Sequence, residues 1–428
     1  MNILEYSKKL LDSLKNNEVK FSYLINKKIG PEEVDSMYIV SIKDTLKAVV
    51  NRYYFLAWEI KHYLKGVVLE EKVLDYLVLS LAFLRYARNV DFVKIESELL
   101  DALRDSNCNI EENLIVTMLK ELKGKVTSLP EVFNENFSKK ISLNYSYPEW
   151  LVSMIRKHFG TRNAYKSISS SRKSAPISIC ANDLLINDID HPSFVKTKTT
   201  SNSYSYVGNK KLFEEELYMN QKVFVLDQSE QKVLEGLKIY QGEKILIIGD
   251  VNPSFVIDTC IKICDLGKVR VALSNVEDLN NTRKVVSKYR FQSFEAFESP
   301  INLVCTHTDG GNDRVIVMPK NSEFGLIRKK PEVLLSFKKE HFDILLQEQY
   351  EYIKEASTFI KNDGELDYIV PTLNKKESYL LVRRFLNEHP SFGLIEEQMI
   401  FPYEYNGEGI YYARLRKLGN WLWLIYMD

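Results

Sequence analysis

Cysteine is scarce in this chain: five residues in 428. An odd, sparse set cannot build a disulfide framework, which points to a reduced, cytoplasmic protein. Long apolar runs are lacking too. The longest, around Tyr76–Leu84, is interrupted by Ser80 and stopped by Arg85, far short of a bilayer span. The opening residues MNILEYSKK meet Glu5 before any apolar stretch, which argues against a signal peptide. There is no excess charge of either sign, with 58 basic and 58 acidic side chains. No internal repeat and no low-complexity tract is present. What is plentiful is apolar material: 45% hydrophobic and 12% aromatic residues, enough to bury real cores and to exclude global disorder. A chain of this length is expected to form roughly two or three domains.

The neutral total hides an asymmetry. Between Lys139 and Lys211 twelve Lys/Arg face four Asp/Glu, a surplus of eight positive charges. A basic stretch inside a neutral protein suggests a polyanion partner, against the plainer reading of a solvated surface.

The first 125 or so residues read as helices. Leu74, Leu77, Val78, Leu81 and Leu84 form one apolar stripe, and similar stripes run through Ile3–Leu14, Val49–Leu64 and Leu114–Leu122. Gly124, Pro130, Asn134 and Asn136 mark a connector. Tyr147–Gly160 reads as a short helix opened by Pro148 and closed by Gly160. Ile177–Ala181 reads as a strand and Thr197–Asn209 as a loop or polar hairpin. From Gly242 strands and helices alternate. Lys244–Ile248, Lys268–Leu273, Asn302–Thr306 and Arg314–Met318 have the near-continuous apolar, β-branched character of buried parallel strands. Ser254–Leu266, Val276–Tyr289 and Lys339–Ile360 supply helices, and strands return at Leu366–Val370 and Ile410–Leu415. The expected architecture is an all-α domain (1–128), a small α+β subdomain (129–225) and a doubly wound α/β domain (226–428).

Within that order, Tyr147-Pro148-Glu149-Trp150-Leu151, the strand ISICAN ending in Asn182, the box Leu226-Asp227-Gln228-Ser229, Asp313-Arg314, Gly325 with Arg328 and Pro331, Gln349 with Ile353, Ala356 and Gly364, and Gly409-Ile410-Tyr411-Tyr412-Ala413-Arg414 follow one another. The chain thereby resembles the RsmB/Sun-type bacterial 16S rRNA cytosine-C5 methyltransferases over essentially its full length. That resemblance implies a NusB-like helical domain, a small RNA-binding subdomain and a Rossmann-like domain that uses S-adenosylmethionine, with rRNA or a ribosome precursor as partner and a monomeric state.

The same resemblance exposes departures. Cytosine C5 is a poor nucleophile, so a thiolate must first add to C6. The family holds that thiolate in a Thr-Cys-Ser turn, where this chain has Pro371. Its second cysteine follows a Pro after the strand Arg314–Met318, where Pro319 is followed by Lys320 and Asn321. The cofactor loop Asp-x-Cys-Ala-Ala-Pro-Gly-Gly-Lys corresponds to Ile247–Phe255, with Pro253-Ser254 for the Gly-Gly pair and Phe255 for the Lys. The next strand ends in Leu273-Ser274 instead of the acid that holds the ribose. The remaining cofactor candidates are Gly249, Asp250, Asn252 and Asp309. Cys180 replaces the Arg of the family's Arg-x-Asn strand.

The expectation is therefore an RNA-binding relative without catalysis. The candidate RNA contacts are Arg156, Lys157, Arg162, Lys166, Arg172, Lys173, Asn182 and Arg328, and Tyr147, Trp150 and Tyr165 are aromatics that stand among the charges of the middle segment. An active methyltransferase with divergent motifs and a NusB-like interaction or transcription module are the rivals. Cys260, Cys264, Cys305 and His307 have the residue types of a zinc site, but Cys260 and Cys264 also suit a core-facing helix, and no metal is expected. None of the six histidines joins a Ser and an Asp at a nucleophile elbow. Lys320 is a lone alternative base. The apolar tail Trp421–Tyr426 reads as packing back onto the protein, with a partner-binding edge as the alternative.

Overall fold

The structure, a computed structural model, describes residues 2–106, 110–125, 136–306 and 311–419. Asp309, His307 and the tail Trp421–Tyr426 lie outside them. By contacts the chain forms two units. One comprises Met1–Arg172 with Lys329–Phe337, the other Lys173–Arg328 with Lys338–Asp428, so the division passes through the expected middle subdomain at Arg172.

The first unit is helical. Asn2 caps Ile3–Lys15 by accepting the Glu5 N–H at 2.8 Å, and Asp35 caps the 28-residue helix Ser36–Tyr63. The stripes expected from the sequence meet in one core: Leu4, Leu11, Leu46, Leu77, Leu81 and Leu119 are all fully buried. The segment Lys329–Phe337 joins this unit, with Glu332 accepting the Phe21 N–H at 3.0 Å and Leu334 carbonyl accepting Tyr54 Oη–H at 2.6 Å. The helix opened by Pro148 breaks at Gly160, as expected. Its helical geometry is interrupted there, with Gly160 at φ 82° and ψ 163°, and a second helical stretch follows directly as far as Ser171.

The second unit holds two sheets. A four-stranded antiparallel sheet contains β1 (Ile177–Ala181), β2 (Phe194–Lys196), β3 (Ser203–Tyr206) and β4 (Val223–Val225) in the order β2-β3-β1-β4. The Thr197–Asn209 stretch thus contributes a strand, Ser203–Tyr206. The main sheet contains β5 (Lys244–Gly249), β6 (Lys268–Leu273), β7 (Phe294–Glu298), β8 (Asn312–Met318), β9 (Ile360–Val370), β10 (Phe392–Ile400) and β11 (Ile410–Lys417). Its order is β10-β11-β9-β8-β5-β6-β7. Strands β7, β6, β5, β8 and β9 are parallel, and β11 is antiparallel to both neighbours. This is a Rossmann-like methyltransferase sheet.

Asn302–Thr306, expected as a strand, is part of a 3-10 turn. The strand beside β6 is Phe294–Glu298, whose Phe294, Ala296 and Glu298 alternate with Glu295 and Phe297. An edge position needs only one buried face, so its sequence lacks the continuous apolar run that marks β5.

Candidate functional site

In an open α/β sheet, ligands bind at the carboxyl ends of the strands where the strand order reverses, here between β5 and β8. Gly249 ends β5 with φ +114°, and a Cβ there would stand 2.0 Å from the Met318 carbonyl oxygen, so only glycine fits. Asp250 N–H donates to that same carbonyl at 2.8 Å.

The loop that follows closes on itself. Asn252 caps the helix Pro253–Lys262 through its side-chain oxygen, which accepts the Ser254 N–H at 3.0 Å. Its carbonyl accepts Phe255 N–H at 2.9 Å and Val256 N–H at 3.3 Å. Pro253 has no N–H. The first four helix positions therefore leave no backbone donor for an anionic ligand, although free donors are what make a helix amino end an anion site. Asn252 also donates through Nδ2 to the carboxylate of Glu230, at 3.2 and 3.4 Å, and Glu230 is only 7% exposed. A second carboxylate, Asp250, lies exposed in the loop. Burial, then the charge of Asp250, pushes the nearby Tyr352 phenol up to about 12.

At the end of β6, Leu273 is buried and Ser274 exposed, with no acid between strand and helix. Asn275 instead caps the helix Val276–Val286 by accepting the Asp278 N–H at 2.8 Å. Nothing at this strand end matches a ribose diol.

The backbone beside Pro371 is tightly packed. Pro371 carbonyl accepts Gly325 N–H at 3.1 Å, and Gly325 carbonyl accepts Gly409 N–H at 2.9 Å. A Cβ on Gly325 would lie 1.8 Å from the Gly409 oxygen, so three chain segments meet backbone to backbone. Beside them Glu377, fully buried, accepts from Ser322 N–H (2.8 Å), Ser322 Oγ (2.6 Å), Thr372 Oγ1 (2.7 Å), Gln349 Nε2 (3.1 Å) and Asn374 Nδ2 (3.3 Å). Gln349 Nε2 also reaches the Lys320 carbonyl at 3.0 Å, while the Lys320 side chain points into solvent. No signal in composition or spacing singles out Glu377. It was missed because its significance lies in who surrounds it.

Of the described cysteines, Cys180 and Cys260 are buried and Cys264 is partly exposed. Cys180 is buried with Sγ 3.8 Å from Asp258, and burial, then that carboxylate, raises its thiol well above the ordinary range. Burial pushes Cys260, in the core, up to about 12. Both are held as inert thiols.

The basic residues divide into two kinds. Seven Lys/Arg against Glu149 alone fall within residues 139–172, so most of the positive surplus sits on the helices Phe137–Tyr145 and Glu149–Ser171 of the first unit. Arg156, Lys157 and Arg162 are exposed there, Lys166 is half-buried, and Lys173 is exposed just beyond. Arg156 lies over the Phe137 ring and donates to Thr161 Oγ1 at 3.2 Å.

Arg172, Asn182 and Arg328 serve the fold. Arg172 donates to the Tyr145 and Ser146 carbonyls at 2.8 Å each and to Asn51 Oδ1 at 3.2 Å, stacked over Tyr147. Asn182 is 2% exposed and shapes a turn, donating to Gln221 carbonyl and accepting the Leu184 N–H. Arg328 donates to the Asn406 and Pro402 carbonyls. Of the aromatics, Tyr147 is buried, Trp150 packs near Phe337 with centroids 6.3 Å apart, and Tyr165 is exposed.

No family model matches the chain. It is 26% identical over 124 residues to the probable ribosomal RNA small subunit methyltransferase B of Bacillus subtilis, a match covering 25% of this chain and 28% of that protein. It is 21% identical over 381 residues to the ribosomal RNA small subunit methyltransferase B of Proteus mirabilis, 83% of each chain. Among solved structures, PH0851 aligns with a TM-score of 0.71 at 15% identity, covering 96% of this chain and 98% of that one. The chain is a homologue of the RsmB/Sun-type small-subunit rRNA methyltransferases and carries their Rossmann-like fold.

Proposed function

We propose that this protein binds structured RNA of the small ribosomal subunit or its precursor and no longer transfers a methyl group. The observation that carries this reading is the make-up of the switch-point loop and of the strand ends beside it. The helix amino end has its donors taken by Asn252, the β6 end lacks an acid, and the two thiol positions hold Pro371 and Lys320 or Asn321. S-adenosylmethionine does not fit this arrangement. Its carboxylate would find no free donor at Pro253–Val256 and would approach the carboxylates of Glu230 and Asp250. Losing a charge-assisted contact of this kind costs about 1.5–3 kcal/mol, on the order of ten- to a hundredfold in affinity.

The exposed cations of the helical unit remain, and they support the RNA half of the reading. A phosphate-binding face releases condensed counterions when it binds, so affinity falls with salt. The test is a salt series with an rRNA fragment on wild type and on an Arg156→Glu, Lys157→Glu, Arg162→Glu variant. The expected result is a shallower log–log slope for the variant, lower by about 0.7 per lost single-strand contact. Identical binding by the two proteins, or none at low salt, removes the RNA assignment and leaves the helical unit as a protein-interaction module. Arg172 is left out of the variant because its loss would disturb the fold.

A further inference from the structure

The helical unit's basic face carries an exposed aromatic ring as well as charge. After the break at Gly160, Arg162, Tyr165, Lys166 and Ser169 fall at i, i+3, i+4 and i+7 and so share one helix face. Ala164, Ser167 and Ile168 lie buried on the other face. Tyr165 is 47% exposed, in contrast to the buried Tyr147. Its ring is also held. Tyr145 lies beside it in a T-shaped contact, with centroids 6.2 Å apart and planes at 76°.

A tyrosine left in water on a helix gains nothing for the fold from its exposed ring face. One whose ring is fixed by a neighbour, beside an exposed arginine, meets the requirements of a base-stacking platform. It presents a flat π-face at little conformational cost, with a cation placed for the adjoining phosphate. Unpaired bases offer a face to such a ring, whereas the bases of a continuous duplex are stacked on each other.

We infer that Tyr165 stacks on an unpaired base of RNA while Arg162 and Lys166 engage the flanking phosphates. The ligand class is therefore a single-stranded loop or bulge. This rests on the RNA-binding reading above.

The experiment uses the full-length protein, an RNA hairpin with an eight-nucleotide loop carrying 2-aminopurine, and a fully paired duplex of matching composition. Wild type is expected to bind the hairpin more tightly than the duplex and to quench the loop fluorophore. Tyr165→Ala and Tyr165→Leu weaken hairpin binding by about five- to a hundredfold, abolish the quench and leave duplex binding and the salt slope unchanged. Tyr165→Phe keeps both affinity and quench, because the ring face and not the hydroxyl makes the contact. The leucine variant retains an apolar contact to Tyr145, and equal melting temperatures separate a lost platform from a disturbed hairpin of helices.

If Tyr165→Ala and Tyr165→Leu bind the hairpin like wild type while the Arg156, Lys157, Arg162 reversal weakens it, the stacking inference fails and the basic face stands. Equal wild-type affinity for hairpin and duplex also overturns it. If wild type binds neither RNA at low salt, the RNA-binding reading itself fails.

Discussion

Glu377 is the most densely bonded side chain of the corner beside Pro371. Its carboxylate is fully buried, and Ser322, Thr372, Gln349 and Asn374 all donate to it. Removing the carboxylate strands several buried donors at once. Glu377→Leu is expected to cost on the order of 3–5 kcal/mol, read as a lowered denaturant midpoint. A loss below about 1 kcal/mol would mean that the network is dispensable. The absence of thiols at Pro371 and Lys320/Asn321 was legible in the sequence, since residue identity at a motif position needs no geometry. That Asn252 also pairs with Glu230 was not legible. An Asn before a Pro reads as a cap, but that pairing joins residues 22 apart in sequence. With cofactor binding lost as proposed, restoring thiols alone will not restore chemistry. The Lys320→Cys, Pro371→Cys variant is expected to methylate no RNA in a transfer assay with labelled S-adenosylmethionine, and incorporation above background would show that the cofactor binds after all.

Among the elements, the segment Glu149–Ser171 turns on a single residue. Gly160 takes φ 82° and ψ 163°, a region essentially closed to residues with a Cβ, while nothing lies within 4 Å of where that atom would stand. The requirement is therefore one of backbone and not of space. Gly160→Ala is expected to lower stability by roughly 1–3 kcal/mol, measured as a shift in urea midpoint, and an unchanged midpoint would contradict the strained bend. The central strands were legible because burial on both faces writes a continuous apolar run, as in Lys244–Gly249. The edge strands β7 and β10 were not, since partial burial admits Glu295 in the one and Glu396 and Glu397 in the other, which breaks the apolar run.

Strand β9 carries a second device hidden from sequence. Arg314, 1% exposed, is shared by Glu243 at 2.8 Å, Glu365 at 3.1 Å and Asp367 at 2.6 Å. Burial raises Asp367 to about 6 in spite of that arginine. Burial also opposes ionisation of Glu365, but Arg314, Arg416 and Arg414 outweigh it and hold that carboxyl below its ordinary value. The two acids have opposite linkage. Between about pH 4 and 6 the folded protein holds a proton on Asp367 that the unfolded chain has released, so this group's contribution to stability falls as pH rises through that window. Glu365 contributes stability above the ordinary carboxylate range that is lost on acidification. The Asp367→Asn variant should lack the loss of stability across about pH 4–6, seen as a flatter urea midpoint against pH, and a profile parallel to wild type would refute the assignment.

At the scale of the whole molecule the balance of charge matters more than its total. The protein is neutral with 58 charges of each sign, yet residues 139–172 hold seven cations and one acid. The surplus was legible in the sequence, but its division was not. Arg172 is tied to carbonyls while Arg156, Lys157 and Arg162 face solvent, and only the folded hairpin of helices separates them. Among the described residues no helix is long and apolar enough to cross a membrane. The proposed loss of cofactor binding makes a separate prediction for the protein. Any ligand of the native state raises its melting temperature by mass action, and a site with Kd near about 10 μM would add about 2.7 kcal/mol at a hundredfold excess. Melting should not shift with about 1 mM S-adenosylmethionine, and a reproducible rise would show that the cofactor binds. The most direct measurement is bisulfite sequencing of small-subunit rRNA from cells with and without the gene. The account predicts the same set of protected cytosines in both, and a single cytosine protected only where the gene is present would contradict it.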